Sequence, residues 1–137
     1  MNIKVKLEPG AIMPKKAHDT DAGFDLFCPM NLYVAYGTPI DTGVHMEIPK
    51  GYCGLVVARS SIYKTGVDCM GVIDSDYRGT IKVVLNAFRK DCNKWYWQKG
   101  QRIAQLLIVA VPEVHLEEVT ELSETDRGDG GFGSTGA

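Results

Sequence analysis

The sequence predicts an all-β fold, and two features of the chain support this prediction. Apolar side chains recur at every second position or in short runs, which is the pattern of strands with one or both faces buried. Gly, Pro, Asn and Asp stand between these runs, where turns are expected. The predicted strands cover residues 3–7, 32–34, 44–48, 52–57, 81–88 and 103–111.

One short helix is predicted after Ser60. Ser60 and Ser61 can cap a segment from Ile62 to Thr65. Gly66 can end this segment, because glycine readily takes the left-handed conformation that follows many helices.

The bulk composition is that of one globular domain. The chain has 137 residues, of which 45% are hydrophobic, enough to bury about two-thirds of its unfolded surface. A net charge of -2 leaves no basic patch for a nucleic-acid backbone, so we expect no nucleic-acid partner. The N-terminus begins with an alternating pattern instead of an apolar signal core, and no segment is long enough to span a bilayer. We therefore expect a cytoplasmic protein without a signal peptide or a membrane partner.

The cysteines are predicted to be free thiols. Cys28, Cys53, Cys69 and Cys92 are widely spaced and contain no C-x-x-C pair of the kind that binds zinc. Reduced side chains are usual in a reducing compartment.

The composition changes at residue 123. Residues 123–137 contain five glycines and one large apolar side chain, Phe132. Such a segment cannot bury enough surface to order itself. We therefore expect a β domain over residues 1–122 and a flexible arm over residues 123–137.

The first segment with candidate chemistry is DTDAGFDLF, residues 19–27. Asp19, Asp21 and Asp25 can form a solvated acidic loop, or they can surround a hydrated magnesium ion, which favours oxygen ligands and keeps several waters. The residue types leave both possibilities open.

The second segment is ARSSIYKTG, residues 58–66, at the end of a predicted strand. Arg59, Ser60 and Ser61 offer a guanidinium, hydroxyls and backbone N–H groups at a helix start, an arrangement that suits a phosphate. A capped helix with a solvated arginine is the alternative.

The third segment, GVIDSDYRG, residues 71–79, combines strand formers with turn formers. It predicts a hairpin: a strand that ends near Asp74, a tight turn, and a second strand from Thr80. The glycine at position 71 lets a ligand approach the backbone, and Tyr77 offers a flat apolar face. An ordinary acidic turn is the alternative.

The fourth segment, GQRIAQLLI, residues 100–108, predicts the start of a strand that carries Arg102 and Gln105. We expect Arg102 to take part in a structural ion pair.

The fifth segment, RGDGGFGSTG, residues 127–136, is rich in glycine. Its backbone N–H groups can surround phosphate oxygens, with further donors on Arg127, Ser134 and Thr135. Phe132 has no core to join, so it should cover an apolar surface such as a nucleobase. The lysine of a P-loop is missing. A flexible interaction tail is the alternative.

In this order the five segments resemble the five motifs of the trimeric dUTPase family. Residues 40–58, IDTGVHMEIPKGYCGLVVA, also read like the connecting strands of that family. Three positions depart from its pattern. Ala58 replaces the usual proline, Gln101 replaces the common aspartate, and Asn86 follows Asp74 by twelve residues instead of thirteen; we assign Asn86 no role.

The resemblance implies a β jelly roll and a homotrimer whose active sites are shared between chains. It implies a dUTP diphosphatase, in which water attacks the α-phosphorus of dUTP and releases dUMP and pyrophosphate. This reaction prevents the incorporation of uracil into DNA and supplies dUMP for thymidylate synthesis.

The resemblance also implies residue roles. Asp74 would be the general base, Tyr77 would pack on the deoxyribose, and Asp25 would contact Mg²⁺ through water while the triphosphate holds most of the ion. Backbone groups of residues 67–79 would recognise uracil. The remaining substrate contacts implied are Arg59, Ser60, Ser61, Gly71, Gln105, Arg127, Phe132, Gly133, Ser134 and Thr135.

Two other functions are alternatives to dUTP hydrolysis. The related dCTP deaminases share the fold but carry a catalytic glutamate at the position of Val84, and no acid occurs from Thr80 to Lys90 in this chain. A nucleotide-sensing module would use the same binding residues as an enzyme, so only turnover distinguishes it.

Overall fold

The computed structural model of the chain describes residues 1–88, 94–134 and 136. Within this part the elements are β1 (Lys4–Leu7), β2 (Phe24–Phe27), β3 (Leu32–Ala35), β4 (Pro39–Asp41), β5 (Val44–Glu47), β6 (Tyr52–Val57), α1 (Ser60–Tyr63), β7 (Val67–Asp68), β8 (Met70–Ile73), β9 (Lys82–Val84), β10 (Asn86–Ala87), β11 (Lys94–Trp97) and β12 (Arg102–Ala110). The prediction of an all-β fold with a short helix is confirmed.

The strands form one four-stranded sheet and several strand pairs. The larger sheet has the order β2, β12, β6, β8, and the pairs are β1 with β5, β3 with β11, β4 with β9, and β7 with β10. All of these pairings are antiparallel. Antiparallel strands alternate buried and exposed side chains when one face is covered, which explains the period of two in the sequence.

The core lies between the four-stranded sheet and the smaller pairs. Leu26, Ile103 and Leu106 of the larger sheet are fully buried, as is Val83 of the β4–β9 pair. Each such side chain contributes about 1.5–3 kcal/mol by leaving water. This packing fixes β2 and β12, which carry two of the candidate segments.

The predicted hairpin around residues 71–79 is wrong. β8 pairs with β6, where Ile73 lies opposite Gly54, and β9 pairs with β4. Turn residues specify that the chain changes direction, but they do not specify which strands pair with each other. Gly54 permits the observed pairing, because a Cβ at this position would lie 2.9 Å from Leu106 Cδ1 and 3.2 Å from Ile73 Cβ.

The other predicted strands are largely confirmed. The runs at 3–7, 32–34, 44–48, 52–57 and 103–111 correspond to β1, β3, β5, β6 and β12. The run at 81–88 is divided instead into β9 and β10, which pair with different strands. The strands β2, β4, β7 and β11 were not predicted, because they are short and lie among polar or turn-forming residues.

The helix begins two residues earlier than predicted, at Ser60 instead of Ile62. Arg59 is its N-cap, with extended backbone angles (φ -78°, ψ 147°), and no side chain caps the helix. The prediction that Ser60 and Ser61 cap it is therefore wrong, because these residues already lie in the first turn. The helix also ends two residues earlier than predicted, at Tyr63 instead of Thr65. The chain turns at Gly66, which has φ 88° and donates its N–H to the Tyr63 carbonyl at 2.9 Å.

The described cysteines are free thiols, as predicted, and Cys92 lies outside the described residues. Burial raises the pKa of the Cys28 thiol, and it raises the pKa of Cys69 to about 11. Protonated thiols are poor nucleophiles, so neither is a candidate for catalysis.

None of the helices in the described part of the chain has the length and apolar character needed to cross a bilayer.

The chain leaves the sheets at Ala110. From residue 111 to 134 it contains no described strand or helix, and nearly all of its side chains are exposed. The division into a domain over 1–122 and an arm over 123–137 stays a prediction.

Candidate active site

Asp25 lies between two arginines at one end of the four-stranded sheet. Its Oδ1 is 2.8 Å from Arg59 Nε, and its Oδ2 is 3.2 Å from Arg102 Nε. The Asp25 side chain is only 11% exposed, so water screens these ion pairs weakly. The expected structural ion pair of Arg102 is confirmed.

Arg59 is oriented by a second contact. Its Nη1 donates to Ser61 Oγ at 3.3 Å. A guanidinium has five N–H donors, so several remain for an anion. Ser60 and Ser61 are exposed in the first turn of α1, where backbone N–H groups have no partner within the helix.

Gln105 connects the same three segments. It pairs in register with Asp25 on one side and with Val57 on the other, and its Nε2 donates to the Ala58 carbonyl at 3.1 Å. Gly23 makes room for this amide, because a Cβ at position 23 would lie 2.8 Å from Gln105 Oε1. The second N–H of the amide remains available to a ligand.

The pocket beside this cluster could not be predicted from the sequence. Arg59 and Arg102 line a pocket of about 270 Å³ together with Trp95 and Trp97. The two indole rings stack with their centroids 5.4 Å apart. Guanidinium groups, hydroxyls and aromatic faces together suit a phosphorylated ligand.

The turn after β8 holds Asp74 and Tyr77 by local hydrogen bonds. The Tyr77 N–H donates to the Asp74 carbonyl at 3.1 Å, and the Tyr77 hydroxyl donates to the Thr80 carbonyl at 2.8 Å. A Cβ at Gly79 would lie 2.6 Å from Tyr77 Cζ, so a larger residue at this position would displace the tyrosine ring. Asp74 is exposed and lines a groove of about 1160 Å³.

Asp74 and Arg59 lie at opposite ends of the β6–β8 pair. Ile73 is opposite Gly54, so Asp74 lies near the start of β6, whereas Arg59 follows its end. Asp74 follows Ile73 and so lies beside Cys53. Arg59 is six positions beyond Cys53, and at about 3.3 Å per residue this gives about 20 Å. A general base must reach its proton within about 3 Å, or through one water. Within one chain, Asp74 therefore cannot act on a phosphate held at Arg59.

The backbone at Gly71 has free space on the side where a Cβ would lie. A Cβ at this position would first meet Val56 Cβ at 3.7 Å, an ordinary contact. The fold of a single chain therefore does not require glycine here.

The arm residues are not brought to either group of side chains. Arg127 Nε donates to the Gly130 carbonyl at 2.9 Å, and the Ser134 N–H donates to the Gly131 carbonyl at 3.1 Å. Phe132 is fully exposed with φ 49°, followed by Gly133 with φ 81°. Thr135 lies outside the described residues.

The predicted site residues thus fall into three groups. The cluster of Asp25, Arg59, Ser60, Ser61 and Gln105 lies at one end of the sheet. Asp74 and Tyr77 lie at the other end, with Gly71 on β8 leading to them. The arm residues within the described part of the chain contact neither group.

The comparisons with known proteins agree on one family. The dUTPase family model matches residues 10–136. The deoxyuridine 5'-triphosphate nucleotidohydrolase of Clostridium acetobutylicum is 41% identical over 143 aligned positions, covering 99% of this chain and 97% of that protein.

Solved structures give the same result. The dUTPase of Staphylococcus bacteriophage 80alpha with dUPNHPP has a TM-score of 0.87 and 29% identity, with 99% of each chain covered. A mutant dUTPase of phage phi11 of S. aureus, described for its coordination of a structural Mg(II) ion, has a TM-score of 0.76 and 25% identity, covering 88% of this chain and 98% of that chain.

Proposed function

The chain belongs to the dUTPase family and hydrolyses dUTP to dUMP and pyrophosphate, and from this premise we propose that its active site is assembled from several copies of the chain. One observation carries the proposal. The candidate base Asp74 and the candidate phosphate ligand Arg59 are about 20 Å apart along β6 of the same chain. A second copy can bring its Asp74 to the Arg59 cluster of the first.

We propose a homotrimer, as the family resemblance implies. β8 is an edge strand of the four-stranded sheet, and its Met70 and Val72 are 78% and 61% exposed. Beyond the sheets, Val114, Leu116 and Leu122 are also largely exposed. Exposed apolar side chains are often covered at a protein interface. Contacts between three copies would cover them.

In the proposed chemistry, Asp74 takes a proton from the attacking water. The water oxygen forms a bond to the α-phosphorus, and the bond from that phosphorus to the pyrophosphate oxygen breaks. Asp74 forms no ion pair with any residue in the described ranges, so no cation competes for the proton-accepting oxygens. Such general-base assistance accelerates a reaction by about a hundredfold to ten-thousandfold.

The cluster of a neighbouring copy would bind the phosphates. Arg59, Ser60, Ser61 and Gln105 supply donors that are already oriented before the substrate arrives. Asp25 holds Arg59 Nε, which leaves the Nη groups to face the ligand. Donors fixed in advance stabilise the developing charge without further reorganisation.

The residues near Asp25 fit a magnesium ion that the triphosphate holds. Among the described residues no group of three or more His, Cys, Asp or Glu side chains could hold a metal. Mg²⁺ commonly binds through one or two carboxylates plus substrate phosphates and keeps several waters. A carboxylate accepts about four hydrogen bonds, so Asp25 retains acceptor capacity for a metal-bound water beside its two arginines. When bound, the ion neutralises charge on the triphosphate.

The uracil would lie against β8. An edge strand presents backbone N–H and C=O groups that no other strand uses, and these can match the polar edge of a base. Gly71 leaves the necessary space. Tyr77, 38% exposed, would pack its ring on the deoxyribose.

The arm would close the site. Ordering its backbone costs conformational entropy, and only ligand contacts can offset this cost. Phe132 would cover the base, while Arg127, Gly133, Ser134 and Thr135 would bind phosphates. Closure excludes water and completes the site.

Subunit complementation tests the shared site. Asp74→Asn and Arg59→Gln chains are each purified and assayed for pyrophosphate release from dUTP with Mg²⁺, then refolded together in equal amounts. Each variant alone should be nearly inactive. In a cyclic trimer with random mixing, roughly a quarter of the interfaces combine an intact Asp74 with an intact Arg59. The mixture should therefore recover roughly a quarter of wild-type turnover. An inactive mixture of properly assembled trimers would place both residues in a site within one chain.

A further inference from the structure

His45 on β5 contacts the turn of residues 74–79, which carries Asp74. Its Nδ1 lies 2.7 Å from the Arg78 carbonyl oxygen, and its Nε2 lies 2.7 Å from Glu8 Oε1. The two ring nitrogens therefore face two oxygens that lie on different segments. Arg78 directly follows Tyr77 in the turn that begins at Asp74.

Both of these oxygens are hydrogen-bond acceptors. A carbonyl has no proton to give, and the bond from His45 lowers the pKa of the Glu8 carboxyl, which keeps it ionised. Only an imidazolium carries N–H groups on both nitrogens. The Arg78 carbonyl, followed by Glu8, raises the pKa of His45.

We propose that the His45 imidazolium is a positioning group that holds the turn of residues 74–79 against β5, so that this catalytic turn loosens when the ring loses its proton. This inference rests on the proposed role of Asp74. His45 acts through the Arg78 carbonyl and does not touch the substrate.

The charges that face His45 favour the proton on balance. From β1, Lys6 lies opposite His45 in register and opposes protonation, but its Nζ is 3.7 Å from Glu8 Oε1. From the turn, the Arg78 guanidinium is directed to Glu47, 3.8 Å away.

Glu47 also pairs with Lys4, at 3.1 Å. Glu8 is thus the charged group in contact with the imidazole.

Loss of the proton would release the turn and not Glu8. The carboxylate is the stronger acceptor, so the remaining N–H should stay on Nε2. The lone pair of Nδ1 would then face the Arg78 oxygen, and the two would repel each other. Two other links from this segment to β5 would remain: the exposed ion pair of Arg78 with Glu47 at 3.8 Å, and the bond from the Ile81 N–H to the Val44 carbonyl three residues further on.

The direction with pH follows from the raised pKa of His45. The contribution of the ring to turn order is complete below its ordinary pKa of about 6.5 and is lost as the pH rises through the pKa of the folded protein. The contribution of Glu8 is present above its ordinary value and is lost as the pH falls through its lowered pKa. At pH values between the lowered pKa of Glu8 and the raised pKa of His45, both contacts of the ring hold the turn.

The test combines NMR titration of the histidine rings in the full-length protein with kcat and KM for dUTP between about pH 6 and pH 9.5, a range that spans the ordinary histidine pKa. The His45 signal is identified by its absence in His45→Gln. We expect it to titrate above the ordinary histidine value, and kcat to fall about threefold to tenfold with the same midpoint, as the loss of one hydrogen bond predicts.

Two variants and one control test whether His45 causes the fall in kcat. His45→Gln should remove this step from the pH profile of kcat. The control His115→Gln, in which the lost ring is 89% exposed and has Glu113 as its neighbour at 3.6 Å, should keep it. Glu8→Gln removes the negative partner, so it should move the midpoint to lower pH even if His45→Gln does not fold.

Three results would overturn the inference: a His45 midpoint at or below 6.5, an unchanged step in His45→Gln, or an unmoved midpoint in Glu8→Gln. A failure of the proposed function can be distinguished from a failure of this inference, because the two are measured in different experiments. If Asp74→Asn kept its turnover, the role of Asp74 would be wrong, whereas the ring titration would still report whether His45 makes both contacts.

Discussion

Replacing Asp25 by asparagine should destabilise the protein more than any comparable change at its surface. Asparagine has nearly the same shape, so the substitution removes charge while leaving little cavity. Its Oδ1 can accept from one arginine, but its NH₂ then faces the other guanidinium, which places donors against donors. Arg59 and Arg102 would also repel each other across an uncharged residue.

The size of the effect follows from the two contacts. A hydrogen bond to a charged group contributes about 1.5–3 kcal/mol to the free energy of unfolding. The 2.8 Å contact to Arg59 belongs near the middle of that range, since the Arg59 side chain is 26% exposed and that of Asp25 11%. The 3.2 Å contact to Arg102, whose side chain is 43% exposed, contributes less because of solvent screening. We expect Asp25→Asn to lower the free energy of unfolding by about 2–4 kcal/mol.

The assay is equilibrium unfolding in urea at equal protein concentrations, because association of copies contributes to the apparent stability. Glu47→Gln is the matched control. Glu47 also lies between two cations, Lys4 at 3.1 Å and Arg78 at 3.8 Å, but its side chain is 46% exposed. Exposed ion pairs contribute little, so this variant should stay close to wild type. Equal losses in the two variants would show that burial of Asp25 does not strengthen its ion pairs, and the reasoning would be wrong.

Three further predictions address the reaction. Asp74→Asn should lower kcat by at least about a hundredfold while calorimetry still detects dUTP binding, since only proton transfer and water orientation are removed; near-normal turnover would refute the assignment. Deletion of residues 124–137 should leave the fold intact and the protein trimeric, as measured by light scattering, but should remove most activity. Phe132→Ala should lower turnover more than it lowers thermal stability. A truncated protein with the full rate would show that the arm is not a lid. Gly71→Ala should leave the melting temperature unchanged, because its Cβ meets nothing closer than 3.7 Å within the chain, but should raise KM for dUTP; an unchanged KM would mean that no ligand approaches β8 at this point.

The residue types of the candidate site can be recognised in the sequence, whereas their arrangement in space cannot. Turn formers and glycines around Asp74, donors at Arg59 and glycines around Phe132 are local properties, and each is visible within a few residues. The expected ion pair of Arg102 is likewise present, although no local pattern identified Asp25 as its partner. His45, Trp95 and Trp97 belong to no motif, so no signal in the sequence could find them.

The alternation of apolar and polar residues by itself determined that this chain forms strands, because a strand places successive side chains on opposite faces. It did not determine which strands pair. Only the tertiary structure joined β8 to β6 and β9 to β4, and thereby placed Asp74 about 20 Å from Arg59 along β6. Pairing depends on the packing of residues far apart in the chain, such as Gly54 beneath Ile73 and Leu106, and a local pattern contains no record of these contacts.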